Sequence, residues 1–509
     1  MGKMTTEGGR QIETDVAIVG GGLAGITAAV GLTLDGVDVA IIERDSRLGG
    51  RAQSWEDAKT GDPVHIGPHI LFSVYPNMLK LLEILGTDDR IVWQEDHFLT
   101  LADGQRAMET SQWPLPPPLH FLSGLVSDDR TSLGDKVSNV PVTLYAMQMR
   151  EEDFLRLDSM NAYAFLRRMG VTKGFIRDFW SFACMAIMNL PIELCSAGAL
   201  MRFYKRFIGH SDFCFGFPDG GLGDIYAPSA QRMLEDHGQE VMLRTEAVEF
   251  IADNGAIGGV VLSDGTRVVA DQTISALPPH QLRPLVPRRW LDEYQTFHDL
   301  VHFQPCPYVS SFIWFDRKLT DLKMWARVHC PNDLNCDFYD LSNIHRGWED
   351  RPSLITSNII YSQRAAELDD AEIVERTVDE IGEFLPEASM EHVDHWVVNR
   401  IPMAIHCPFP GTEQRRPDVN APVDGMWLAG DWTKTGLPAS MESACMSGWR
   451  VAEGIAEERG GNRRELAVEH PDVEGITGLF DRTAQLMPSR HLRRLMRQVR
   501  SRVIQEEVS

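Results

Sequence analysis

Apolar positions along the chain change their spacing several times, and each change marks an element. Val16 to Val19 form a short unbroken apolar run between Asp15 and Gly20, which predicts a buried strand. The run after Gly25 predicts a helix closed by Asp35 and Gly36, and Val37 to Ile42 predicts a second strand. Leu79, Leu82 and Leu85 share one face of an amphipathic helix. Met160 to Ile208 has a helical pattern rich in Phe, Trp and Met. Val241 to Ile274 alternates as strands do, with turns at Asn254 and Asp264, each followed by glycine. Strands and helices alternate again from Arg288 to Pro410, including the helix Asp370 to Phe384. In the tail, Leu492, Leu495, Met496, Val499 and Val503 fall on one helical face beside six arginines between 490 and 502.

The first strand runs directly into G-x-G-x-x-G at Gly20, Gly22 and Gly25, and the helix follows at once. In such a unit the first glycine makes the tight turn, the second admits a pyrophosphate to the backbone, and the third lets helix and strand pack closely. The unpaired N–H groups and dipole of the helix start favour the negative charge. The second strand delivers Glu43, 23 residues after Gly20, where a carboxylate accepts from ribose hydroxyls. Strand, glycines, helix, strand and acid in register predict a bound dinucleotide. Val16 to Leu34 holds no charged residue for 19 positions, yet the glycine turn and the acidic flank Glu13 and Asp15 argue against a membrane span or signal core. Residues 1–14 are expected to be a disordered leader.

Composition narrows the class. The 509 residues suffice for about three domains, and a net charge of -24 argues against a nucleic-acid binder. Eight cysteines without C-x-x-C or paired Cys/His spacing read as free thiols of a reducing compartment, and no metal site is indicated. In so acidic a chain the basic tail helix has two readings, contact with an anionic membrane surface or docking on the protein's own acidic body. The proline-rich apolar segment Trp113 to Leu125 is open in the same way between membrane contact and burial.

The run Arg44 to Arg51, with Gly49 and Gly50 before the arginine, resembles the continuation found in the FAD family that contains amine oxidases, protoporphyrinogen oxidase and carotenoid desaturases. Met426 to Thr433 resembles the second FAD motif of that family, and Ala439 to Gly448 the helix start after it. The resemblance implies an α/β fold: a Rossmann-like FAD-binding domain of the glutathione-reductase and amine-oxidase type, assembled from residues 15–85, 236–285 and 411–458. A mixed α+β substrate domain with a helical subregion would take residues 86–235 and 286–410, and residues 459–509 would form the tail. It places Gly20, Gly22, Leu23, Ala24, Gly25, Glu43, Arg44, Gly49, Gly50 and Arg51 at the FAD, then Gly67, Pro68, His69, Ile70, Val248, Ala276, Gly430, Asp431, Ser440 and Met441. Arg51 would meet the diphosphate from the side opposite the helix. The dipole of the last helix would stabilise negative charge on the reduced ring.

Within this family, Gly67 to Asn77, Ile313 to Leu319 and Leu428 to Glu442 resemble the plant and cyanobacterial phytoene and zeta-carotene desaturases and the hydroxysqualene dehydroxylases. The resemblance spans roughly residues 14 to 456 and departs at Ser443, where the family has glycine. It implies a long isoprenoid lipid as substrate, a quinone as electron acceptor, and peripheral attachment to the cytoplasmic face of a membrane. Desaturation and reductive dehydroxylation both remain open, the second requiring an acid for the departing hydroxyl. An amine oxidase is disfavoured because Ser440 stands where an aromatic cage residue belongs. Arg202 matches a desaturase arginine implicated in acceptor binding, its alternative being a buried carboxylate pair. His69 is expected near the flavin, either moving a proton or bonded to backbone.

Overall fold

Strand Gln11–Val19 lies inside a seven-stranded sheet in the order Glu240–Met242, Val39–Ile42, Gln11–Val19, Arg267–Ser275, Ala256–Leu262, Ala247–Asp253, with Met426–Leu428 also paired to Arg267–Ser275. The first four strands and Met426–Leu428 are parallel; the remaining two pair antiparallel as a meander. This computed structural model describes residues 10–483, apart from 96, 98, 129, 212, 254, 329–331 and 462–464. Parallel strands have both faces covered, and Val16 to Ile18, like Ala40 and Ile41, have no solvent exposure.

Helix Leu23–Leu34 crosses helix Met441–Glu458, so the two ends of the chain share one core. The crossing needs small residues: a Cβ on Gly448 would lie 2.5 Å from the Ala24 carbonyl oxygen, and one on Gly31 would lie 2.8 Å from the Ala452 Cβ. Periodicity along each helix gave no hint of this pairing.

Three boundaries expected from sequence move. The strand begins at Gln11 and pairs Gln11 to Thr14 with Arg267 to Ala270, so ordered structure enters the segment read as a leader. Helix Ala227–Asp236, assigned to the substrate domain, buries Ala227, Ala230 and Leu234 in the nucleotide-side core with Ile26 and Val30. Trp290, Phe297, Leu300 and Phe303 likewise pack with Val19, Ala40 and Leu428 against the first sheet. In each case apolar side chains at strand or helix spacing find their partners on that sheet, and composition does not distinguish which of two cores they will join.

A second seven-stranded sheet runs Val393–His406, Pro305–Phe315, Leu354–Ile359, Asp337–Asp340, Met324–Arg327, Leu99–Asp103, Arg106–Thr110, with only Met324–Arg327 and Leu99–Asp103 parallel. One face buries Ile313, Trp325, Phe338 and Ile355 under helix Asp370–Phe384. The other carries Phe312, Trp314 and Tyr339 towards Phe215 and Phe217. Beside it, residues 140–208 form a helical region with its own core of Phe, Met and Trp side chains. That region contains two π-helical turns, Ile176–Trp180 and Cys184–Met188, the second ending at Asn189 with φ 62°. π turns concentrate at functional sites.

Helix Gly475–Thr483 docks Ile476 and Phe480 on the helical region, while the basic helix expected at 490–503 lies outside the described residues. The proline-rich segment divides, with Trp113 exposed and Pro117 and His120 buried. Among the described residues no helix is long and apolar enough to cross a membrane.

Candidate active site

The glycine turn has the geometry that its spacing predicts. Gly20 takes φ 106°, and a Cβ on Gly25 would meet the Gly20 carbonyl oxygen at 2.1 Å. At Gly22 the nearest atom to an added Cβ is 3.9 Å away, so this backbone is open to a close-approaching group. Helix Leu23–Leu34 starts there with no side-chain cap and no acid in its first turn. These uncapped N–H groups at an open glycine, with an acid at the end of the next strand, supply the donors that a dinucleotide diphosphate requires and the acceptor that its ribose requires. Glu43 is buried and oriented by two backbone donors, Gly21 N–H at 2.7 Å and Asp45 N–H at 2.9 Å.

The run Arg44 to Arg51 folds back beside the turn: Gly49 N–H donates to the Gly21 carbonyl at 2.8 Å, and Gly49 and Gly50 take positive φ. Tyr226 anchors it from helix Ala227–Asp236's N-terminus, its hydroxyl donating to the Gly49 carbonyl at 3.0 Å. Ala276 closes the other side, donating its N–H to the Val19 carbonyl at 2.8 Å. Leu23 and Ala24 are buried, Arg44 is exposed, and Val248 is 46% exposed on the outermost strand of the meander.

The two distant motifs meet through Arg51. Its Nη2 donates to Asp431 Oδ1 at 2.6 Å and its Nη1 to the Ala404 carbonyl at 3.0 Å. Burial alone would raise the Asp431 carboxyl, but the Arg51 guanidinium overrides it and holds the group below its usual range. Gly430 takes φ 145°, and its N–H donates to Ser447 Oγ at 2.8 Å. Ser440 caps helix Met441–Glu458, accepting from Ser443 N–H at 3.1 Å, and Met441 is half-buried. Ser443 uses its hydroxyl on the Asp431 carbonyl at 3.2 Å and on Thr435 at 2.6 Å, so the departure from glycine adds a tie to the Gly430–Asp431 turn.

Gly67 and Pro68 are buried under the second sheet: Ser310 Oγ donates to the Ile66 carbonyl at 2.6 Å and Asn358 Nδ2 to the Pro68 carbonyl at 3.0 Å. His65 and His69 both donate Nδ1–H to the Gly67 carbonyl, at 2.6 and 2.7 Å. His69 is thus bonded to backbone, and burial lowers its pKa, with the Arg51 charge adding to the effect. Ile70 joins the aromatic cluster of Phe72, Phe213 and Phe215.

Arg202 takes the carboxylate outcome. Nε and Nη2 bond Glu151 at 3.2 and 2.5 Å, and Nη1 bonds Glu413. Glu413 is also paired to Arg416, whose Nη2 donates to the Asp431 carbonyl at 2.8 Å and Nε to the Thr433 carbonyl at 2.9 Å. Three of the five N–H donors of Arg202 thus go to carboxylates, and Glu413 links it to Arg416 and the second motif.

Arg416, Glu413 and His406 were missed by sequence reasoning, since none belongs to a motif. His406 is 2% exposed with Nδ1 unpartnered, and it lines a cavity of about 10 Å³ with Met188, Ile405, Glu413, Pro438 and Ala439. Burial lowers His406 to about 4 and His65 to about 3, against an ordinary 6.5. The folded state then binds fewer protons than the unfolded chain, so stability is full above pH 6.5 and falls as pH drops from 6.5 towards 4. A loss on the order of 3 kcal/mol per histidine by pH 4 is expected in urea unfolding curves. His406→Gln should flatten that slope while leaving stability at pH 7.5 less affected.

Fold and site together define a flavin-dinucleotide oxidoreductase of the α/β type. The profile described as flavin containing amine oxidoreductase matches residues 23–456. This chain therefore belongs to the flavin-containing amine oxidoreductase family, and it is an FAD-dependent enzyme. It is similar to the 15-cis-phytoene desaturase of Synechococcus elongatus, 26% identical over 86% of this chain and 95% of that protein. The tomato zeta-carotene desaturase is 24% identical, over 92% and 85%. Among solved structures, a putrescine oxidase aligns with TM-score 0.67 at 17% identity, over 88% of this chain and all of that one. Cyclohexylamine oxidase from Brevibacterium oxydans aligns with TM-score 0.62 at 16% identity, over 88% and 100%.

Proposed function

We propose that this enzyme desaturates a long isoprenoid hydrocarbon of the phytoene or carotene type, with a quinone taking up the electrons at the cytoplasmic face of a membrane. The observation that carries the reading is the near full-length similarity to desaturases, which covers 95% of the cyanobacterial protein. Ser440 supports it from the negative side, because it is spent on capping helix Met441–Glu458 and builds no aromatic wall for an amine.

FAD, when bound, supplies a two-electron acceptor for hydride. In this reading Gly20, Gly22 and the helix start at Leu23 bind the diphosphate, Glu43 binds the ribose, and Arg51 with Asp431 closes the other side. The dipole of helix Met441–Glu458 favours negative charge at the pyrimidine end of the ring. Hydrocarbon binding asks for an apolar chamber that holds a C–H bond in place and excludes water. The aromatic side chains Phe72, Phe207, Phe213 and Phe215, with neighbouring ring centroids 4.6 to 5.4 Å apart, suit such a wall. Leu133 and Val137 on helix Leu133–Ser138 and Val140 at the start of the next helix are exposed, which supports contact with lipid.

The test is anaerobic incubation of the FAD-loaded enzyme in liposomes with phytoene. Bleaching of the oxidised flavin band together with a new conjugated polyene is the expected result. Reoxidation of pre-reduced flavin by hydroxysqualene, with squalene as product and no reaction of phytoene, would replace desaturation by reductive dehydroxylation.

A further inference from the structure

The family profile ends at residue 456, yet the chain beyond it returns to the FAD side of the molecule. Leu466 is buried in the nucleotide-side core, and Leu466 and Ala467 both donate N–H to Glu453 Oε1 on helix Met441–Glu458. Val468 exchanges two hydrogen bonds with the Asn77 side chain, each 2.8 Å long. Two residues later, His470 Nε2 donates to Glu442 Oε1 at 2.9 Å, with the imidazole 9% exposed. Residues 466–470 are thus strapped across helix Met441–Glu458 and helix Pro76–Leu85.

Glu442 has no solvent exposure. Asn77 N–H, Asn77 Nδ2 and Met78 N–H, all at the start of helix Pro76–Leu85, donate to its carboxylate at 2.6 to 3.2 Å. Among the described residues, the remaining donor is His470. This buried carboxylate stands in the first turn of helix Met441–Glu458, two residues after the Ser440 cap. Its field reaches that cap: the Tyr75 hydroxyl bonds the Ser440 side chain, and the Glu442 charge adds to burial in raising the Tyr75 phenol above its usual range. A carboxylate at a helix start opposes the negative charge that the dipole favours there, and donors aimed at it offset part of that opposition. We propose that His470 is a positioning residue for the flavin: by donating to Glu442 it fixes and partly offsets the buried charge at the start of the last FAD helix, so that the tail raises the potential at which the bound cofactor is reduced. The proposal rests on the reading that this helix start faces the pyrimidine end of the ring.

The test is anaerobic reduction of the full-length holoenzyme against a redox dye, which reads the flavin midpoint potential without any substrate. His470→Ala is expected to keep FAD bound and to lower the potential by about 30 mV, a tenfold shift in the two-electron equilibrium constant. His470→Gln, whose amide can donate to the same oxygen, should restore part of that fall. Glu442→Gln, which removes the charge, should move the potential upward, and adding His470→Ala to it should change little further. A potential unchanged by His470→Ala while Glu442→Gln raises it, or a fall of equal size when the two changes are combined, would overturn the role of His470 and leave the helix placement standing. If both variants hold FAD and neither moves the potential, the placement of this helix start at the pyrimidine end falls with it. Should Glu442→Gln fail to fold, His470→Ala measured against His470→Gln still decides, since a purely structural strap would shift melting temperature and leave the potential where it was.

Discussion

Gly22→Ala is expected to leave the apoprotein's melting temperature within a few degrees of the parent while lowering FAD affinity by about a hundred-fold or more, a loss of roughly 3 kcal/mol. Gly22 has φ -75° and ψ 178°, which alanine adopts freely, and the nearest atom to the added methyl is 3.9 Å away. The protein by itself therefore tolerates the change. The methyl instead occupies the space through which a diphosphate reaches the uncapped helix start, and that loss falls on binding alone. Gly25→Ala should behave in the opposite manner. Its methyl would sit 2.1 Å from the Gly20 carbonyl oxygen and 3.2 Å from the Ala276 Cβ, forcing strand, turn and helix apart at a cost of about 3 kcal/mol even without cofactor. Flavin absorbance after desalting, read against apoprotein melting curves, separates the two. Equal apo-state destabilisation of both variants would show that Gly22 serves packing.

Arg416→Met should be among the most destabilising single changes in the chain, by about 3 to 5 kcal/mol. Arg416 is 5% exposed, and its guanidinium holds the carbonyls of Asp431, Thr433 and Leu437 besides Glu413. The substitution removes one of the two arginines facing buried Glu413 and leaves three carbonyls of the second motif without this donor. Burial would raise the Glu413 carboxyl, yet Arg416, Arg202 and His406 together keep it below its usual range. That arrangement stabilises the fold above about pH 4.5, and the contribution is lost as pH falls through the lowered pKa. Glu413→Gln should accordingly recover part of the Arg416→Met loss when the two are combined, and this non-additivity is readable from urea midpoints. FAD retention should fall along with stability, because the same guanidinium fixes the turn that carries Asp431. A simple sum of the single effects would mean that the two side chains act independently.

The conformation of the glycine turn was legible because it is local. Gly20 to Gly25 and Glu43 lie on one strand–turn–helix–strand unit, and the turn's shape is determined by neighbours in sequence. Ser440 was equally legible as a helix start. Arg202 was legible only as a residue type in a matching run, and its partners Glu151 and Glu413 lie 51 and 211 residues away, so its actual bonds were not. His406 carried no signal, since a histidine at a strand end is ordinary in sequence. What makes it notable is a buried Nδ1 without a partner among the described residues, which exists only once the surrounding elements have closed around it.

By itself the sequence determined the strand, glycine turn and helix near residue 20, the turn and helix start near residue 430, and the α/β alternation of the elements between them. Those properties depend on backbone conformation and period, which a few adjacent residues dictate. The tertiary structure alone decided that Arg51 meets Asp431 across 380 residues, that helix Ala227–Asp236 and Trp290 join the nucleotide core, and that Arg202 is neutralised by Glu151 and Glu413. The reason is common to all three. Apolar burial and charge pairing select partners by where the whole chain packs, and a residue's own neighbourhood in sequence carries no record of that choice.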